Sequence, residues 1–170
     1  YDRLMTVAVL AAAFFVGSLI HVPIGPVSAH LVLNGLLGAI LGWAAFPAIL
    51  VALALQAVLF QYGGLTSLGV NAFNMALPAV LCHYLFRSLL ARGGKAATIG
   101  GFCCGFFGVL LAGLLTAASL AFTDEGFLSV AKVLLAGHVP VMLAEGVVTA
   151  LTVGFLARAR PEMLRFGQTG

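Results

Sequence analysis

Apolar residues run through this chain in long blocks without period-2 alternation, separated by short pieces rich in Pro, Gly or charge. A bilayer core needs about 20 apolar residues per helix, with a range of about 17–25. Six blocks approach that length: residues 4–21, 29–45, 47–61, 71–90, 97–122 and 127–157. Pro47 opens the third, where a missing N–H costs little, and Pro78 marks an expected kink in the fourth. The last block is too long for one crossing. Gly137, His138 and Pro140 interrupt it, so the pattern predicts a short interfacial helix followed by a span from Val139. Strands are not expected, because a small open sheet leaves unpaired backbone in lipid. The predicted fold class is an all-α, polytopic transmembrane helical bundle, with residues 1–170 as a single transmembrane domain.

Composition supports that reading. The 170 residues are 62% hydrophobic and 8% charged, where a soluble domain carries roughly 25% charged residues. So few charges exclude a soluble globular enzyme, a disordered chain and a disulfide-stapled secreted domain. The net charge of +3 then has a membrane explanation. Arg3 precedes the first block. Arg87, Arg92 and Lys95 lie between the fourth and fifth, and Arg158, Arg160 and Arg165 follow the sixth. With six crossings and a cytoplasmic start all seven fall inside, and only Lys132 falls outside, which is the positive-inside pattern. No Lys/Arg cluster of the kind nucleic acid needs occurs. The chain opens at Tyr1 without a Met, so further sequence upstream is expected. Its first apolar run passes straight into further blocks, so it reads as a helix and not as a signal peptide.

Polar groups inside such a bundle need a reason. His30 follows the Pro/Gly-rich loop of residues 21–29 at the outer mouth of the second block. A neutral imidazole there suits a borderline ion such as Ni²⁺ or Co²⁺, or else simply caps the helix start. No second ligand stands at i+3 or i+4, though His21 lies across the same loop. His83, near the inner end of the fourth block, reads as a packing residue, and His138 as a cap or a mouth-lining residue. Residues 62–75 form a second notable segment. Gly63, Gly64 and Gly69 permit close backbone approach, and Thr66, Ser67, Asn71 and Asn74 offer uncharged hydrogen bonds. It is either an ordinary outer loop with Asn71 as the next helix cap, or a lid over a bound species. It is no phosphate loop, since the P-loop Lys is missing.

Glu145 is the one acid deep in a span, and it should face the bundle interior and find a donor, as a structural acid or a proton relay. Cys82, Cys103 and Cys104 read as small hydrophobes. Small residues recur at Ala8 and Ala12 in the first block, at Gly35, Gly38 and Gly42 in the second, and at Gly101, Gly105 and Gly108 in the fifth. Such faces serve close helix packing or the docking of a partner membrane subunit. No nucleophilic triad or paired carboxylate set appears, so the chain is expected not to be an enzyme and to use no catalytic cofactor.

Three runs together resemble a known family: Gly25-Pro-Val-Ser-Ala-His30-Leu-Val-Leu-Asn-Gly35, the sixteen residues from Gln56 to Asn71, and Val139-Pro-Val-Met-Leu-Ala-Glu145-Gly-Val-Val-Thr149. Their order and content are similar to the CbiM/NikM family, the substrate-capture subunits of energy-coupling-factor transporters for cobalt and nickel. The resemblance covers essentially the whole chain. It implies a seven-span fold whose N-terminal helix, beginning Met-His, precedes the six spans counted here. It also implies a four-nitrogen, nearly planar site for Co²⁺ or Ni²⁺ as transported substrate. The terminal amine, the second residue's amide and imidazole, and His30 would supply the nitrogens. Ser28, Thr66 and Asn71 would orient those ligands from behind, and the loop with Gly63, Gly64 and Leu65 would cover the site. Tyr62 departs from the pattern, since cobalt members often carry His before Gly-Gly.

The implied partners are a transmembrane coupling subunit docking on Ala8 and Ala12, cytoplasmic ATPase subunits, and a small accessory membrane subunit. The implied location is a prokaryotic cell (inner) membrane, with the C-terminus cytoplasmic. Alternatives are a capture subunit for another small nutrient such as a vitamin, or a non-transport membrane scaffold.

Overall fold

A computed structural model describes residues 2–24, 27–122 and 127–165. In chain order its elements are α1 (Asp2–Ser18), β1 (His21–Ile24), β2 (Val27–His30), α2 (Asn34–Leu41), α3 (Ala45–Phe60), α4 (Leu68–Ala91), α5 (Gly94–Ala121), α6 (Phe127–Ala159) and α7 (Pro161–Arg165). Helices α1 to α6 correspond to the six expected blocks and form the bundle. Among the described residues, four apolar helical stretches are long enough to cross a membrane: Asn34–Phe60, Leu68–Ala91, Gly94–Ala121 and Leu135–Ala159.

The first of those stretches is not one rod, and this corrects the second expected span. Asn34 touches Met75 and a Cβ on Gly38 would meet Ala79, so α2 runs in the same direction as α4. Helix α3 returns the other way to reach the 62–67 loop that leads into α4. The reversal occurs at Gly42–Ala44, where Gly42 adopts φ 58°, ψ −124°, a backbone state closed to other residues. With eight residues at about 1.5 Å each, α2 is about 12 Å long, well short of the roughly 30 Å core. It begins mid-bundle and runs to the end of the bundle where α7 packs against it.

The chain therefore re-enters the bundle from the C-terminal end of α1 through a short antiparallel hairpin, which was not expected. Its register pairs His21 with His30, Val22 with Ala29, Pro23 with Ser28 and Ile24 with Val27. The lipid argument against strands fails here because the hairpin satisfies itself and β2 packs on α6. Re-entrant backbone is tolerated where protein surrounds it. The expected break near Pro140 is also corrected, because α6 is one 33-residue helix with Pro140 inside it. One proline removes one N–H, and a long helix keeps the other bonds.

Glycines set the packing. A Cβ on Gly35 would lie 2.6 Å from the Cys104 carbonyl carbon, and one on Gly105 would lie 2.8 Å from the Glu145 carbonyl carbon. All eight residues of α2 are buried between α4, α5 and α6. Outward faces are apolar. Leu143, Val147, Leu151 and Phe155 form an exposed i, i+4 stripe on α6, and Val51, Leu55 and Val58 form an exposed i, i+4, i+7 stripe on α3. A surface of that kind suits lipid, not water.

Candidate functional site

The site begins where the re-entrant segment ends. His30 closes β2, and residues 31–33 link it to α2. For Val32 and Leu33 a distant side chain supplies the backbone partner. Val32 and Leu33 both donate their backbone N–H to Glu145 Oε1, Leu33 at 2.8 Å. Glu145 is fully buried, and it meets the expectation of an interior acid with donors. Leu33 sits at φ 52°, ψ 9°, a left-handed state that costs roughly 1–2 kcal/mol for an ordinary residue. The next residue completes the corner. Asn34 Nδ2 donates to the Met75 carbonyl at 3.2 Å on α4 and to the Gly108 carbonyl at 3.1 Å on α5. Gly35 N–H donates to Asn34 Oδ1 at 2.8 Å.

Above this corner lies a cavity of about 320 Å³. Its polar wall is uncharged and includes Ser18, Gln56, Tyr62, Asn71, Asn74 and Thr116. Most of these groups are held. Ser18 Oγ donates to Phe14 O at 2.7 Å, Gln56 Nε2 donates to Ser18 Oγ and to Phe15 O at 3.3 Å, and Asn74 Nδ2 donates to Ser119 Oγ at 3.1 Å. The loop of residues 62–67 roofs the space. Gln61, Gly63 and Gly64 all have positive φ, which folds the loop back over the α4 entrance. Ser67 Oγ donates to Gly63 O, and Asn71 Nδ2 reaches Gly63 O and Ser67 Oγ at 3.4 Å. Asn71 is therefore not the cap of α4. That helix starts at Leu68, and Asn71 ties its first turn to the loop.

Among the expected site residues, Gly63, Gly64 and Asn71 line the cavity, while Leu65 and Thr66 are exposed in the loop and do not. The side chains of His21, Ser28 and His30 lie outside the described part of the structure, as do Gly25 and Pro26 altogether. At backbone level the register sets His21 directly across from His30. Ala8 and Ala12 are exposed on α1 with Val9 and Val16, on the side away from Phe14. His83 is buried in α4 edge-on to Tyr84, and Cys104 Sγ contacts Cys82 O at 3.6 Å, so these residues pack the bundle. Among the described residues no group of three or more His, Cys, Asp or Glu is placed to hold a metal.

Asn34, Gln56 and Ser18 carry the corner and the cavity wall, yet the pattern did not single them out. The available signal was a carboxamide standing alone inside an apolar run, as at Asn34 and Gln56.

Comparison with known proteins now bears on the whole arrangement. Residues 1–163 match the family described as CbiM, cobalt uptake substrate-specific transmembrane region. The chain belongs to the CbiM family. A Haemophilus influenzae relative named for metal transport is 43% identical over 167 residues, spanning 96% of this chain and 81% of the relative. The cobalt transport protein CbiM of Sorangium cellulosum is 32% identical over 168 residues, 93% of this chain and 75% of its own. The fused nickel transport protein NikMN of Rhodobacter capsulatus is 36% identical, and this chain spans 53% of it. A crystal structure of a transition metal transporter superposes with a TM-score of 0.79 at 30% identity, over 92% of this chain and 76% of that one. As a CbiM-family member, the chain is a multi-pass membrane subunit of cobalt and nickel transport.

Proposed function

We propose that this subunit captures Co²⁺ or Ni²⁺ at the outer face through His30 and delivers it to an ATP-driven energy-coupling-factor complex. The observation that carries this reading is the re-entrant segment. A costly left-handed corner and a buried carboxylate hold the backbone just below His30. Strained, over-determined backbone of this kind clusters at functional sites. Imidazole nitrogen suits both ions, and a planar nitrogen set favours them over Zn²⁺. The cavity holds roughly ten waters at about 30 Å³ each, room for a divalent ion with its hydration shell. Ser28, Thr66 and Asn71 serve as hydrogen-bond partners behind the ligands, and Gly63, Gly64 and Leu65 as the covering loop.

The chain has no nucleotide motif, so the energy comes from partners. The exposed Ala8 and Ala12 offer a flat face for a transmembrane coupling subunit, which connects to ATPases on the cytoplasmic side. A small accessory membrane subunit completes the assembly. The cytoplasmic side is the one carrying Arg87, Arg92, Lys95 and the C-terminal arginines, in a prokaryotic inner membrane.

The test is Ni²⁺ and Co²⁺ titration of full-length protein beside a His30→Ala variant. Stoichiometric binding that the variant loses is the expected result, and the tighter ion is the substrate. Binding indifferent to His30, or no binding at all, refutes the proposal.

A further inference from the structure

Glu145 does something that packing alone does not require. A carboxylate inside a bundle is expensive, and a leucine would fill the same space. Its partners here are not cations. Oε1 accepts the N–H groups of Val32 and Leu33, which lie 113 and 112 positions earlier in the chain and directly after His30 and Leu31. Those two donors have no other route to satisfaction in a segment that is neither helix nor strand. They would be lost wherever the corner at Leu33 shifted. The carboxylate is also placed with little slack. Glu145 lies where α6 approaches α5 most closely, since a Cβ on Gly105 would sit 2.7 Å from Thr149 Oγ1 and 2.8 Å from the Glu145 carbonyl carbon. Strand β2, which ends in His30, packs on the same helix.

Glu145 thus holds the linker from one side while Asn34 anchors its far end to the Met75 and Gly108 carbonyls. Its second oxygen, Oε2, has no hydrogen-bond partner among the described residues, nor does Thr149 Oγ1 one turn along. A carboxylate retained only to fill space or cap a helix would not leave half its capacity unused. Two N–H bonds to one oxygen fix the height of the linker.

We infer that Glu145 is a positioning residue for the metal site. It sets where His30 stands by clamping the backbone of Val32 and Leu33 to α6. This rests on the reading of His30 as a ligand. Groups that orient a metal-binding histidine from behind typically change affinity about 10–100-fold when removed.

The experiment uses full-length protein in detergent, loaded with Ni²⁺ alone, and reads both affinity and the d–d absorption band. His30→Ala is measured first. Glu145→Ala is expected to weaken Ni²⁺ binding about 10–100-fold and shift the band. Glu145→Gln keeps an acceptor oxygen at the same reach and should stay closer to wild type. Glu145→Asp keeps the charge but shortens the reach, so it should resemble the alanine variant. Leu90→Ala, a core truncation at the inner end of α4, should lower thermal stability and leave affinity and band unchanged.

Should the alanine variant fail to fold, the Asp and Gln pair decides: Asp equal to wild type in affinity and band overturns the inference. So does a Leu90→Ala effect as large as that of Glu145→Ala. Binding lost in His30→Ala but indifferent to every Glu145 variant overturns the clamp alone. Binding indifferent to His30→Ala overturns both readings, because the clamp then has no ligand to position.

Discussion

Replacing Gly38 with alanine tests whether α2 is wedged between its neighbours as tightly as described. The added methyl would lie 2.7 Å from the Ala79 carbonyl carbon and 3.0 Å from Ala79 Cα, and it would collide outright with the carbonyl oxygen. These are backbone atoms, so no side-chain rotation relieves the overlap. Restoring ordinary contact at 3.4 Å requires the two helices to part by at least about 0.7 Å. A radial gap of that size forfeits about a quarter to a half of each affected dispersion contact. Buried Asn34 and Leu41 lie on the same face of α2 and feel the same separation. Overpacking of this kind costs about 1–3 kcal/mol, whereas alanine gains at most about 1 kcal/mol over glycine in helix propensity. With the full propensity gain subtracted, the net expectation is destabilisation by up to about 2 kcal/mol. The assay is denaturant or thermal unfolding in detergent micelles. Gly137→Ala is the internal control: it lies within α6 with nothing within 4 Å, so only the propensity gain applies. It should be neutral or slightly stabilising. Equal stability of the two variants would falsify the close approach of α2 to α4.

Two further outcomes follow from the surface. Ala8→Trp with Ala12→Trp places bulk on an exposed α1 face, so it should abolish co-purification of a coupling subunit while leaving Ni²⁺ affinity intact; undiminished co-purification removes the docking assignment. Arg92→Cys in a background without Cys82, Cys103 and Cys104 should react with an impermeant thiol reagent only after the membrane is opened, because Arg92 is exposed at the α4–α5 turn on the positively charged side. Labelling from outside intact cells would invert the topology.

Much of this architecture was readable along the chain. Hydropathy is a local property, so the blocks that became α1, α3, α4 and α5 were located to within a few residues. The run around Gly25–Gly35 and the Gly63-Gly64 loop pointed to the family. The glycines of the second and fifth blocks were read as faces for packing or for docking, and the fold uses Gly35, Gly38, Gly101, Gly105 and Gly108 for packing; Glu145 was read as an interior acid in need of donors.

Tertiary structure decided the rest. That α2 is half a span follows from a reversal at Gly42 and from partners on α4 and α5, neither visible in the hydropathy of residues 29–45. The hairpin forms because His21–Ile24 and Val27–His30 satisfy each other and rest on α6, an option that single-strand propensity cannot reveal. The unbroken α6 shows that Gly137 and Pro140 weaken a helix without ending it when the remaining bonds hold. Glu145 found its donors 113 positions away. In lipid every backbone N–H must be met by protein, and where the chain leaves helix the partner is chosen by the fold and not by the neighbouring sequence.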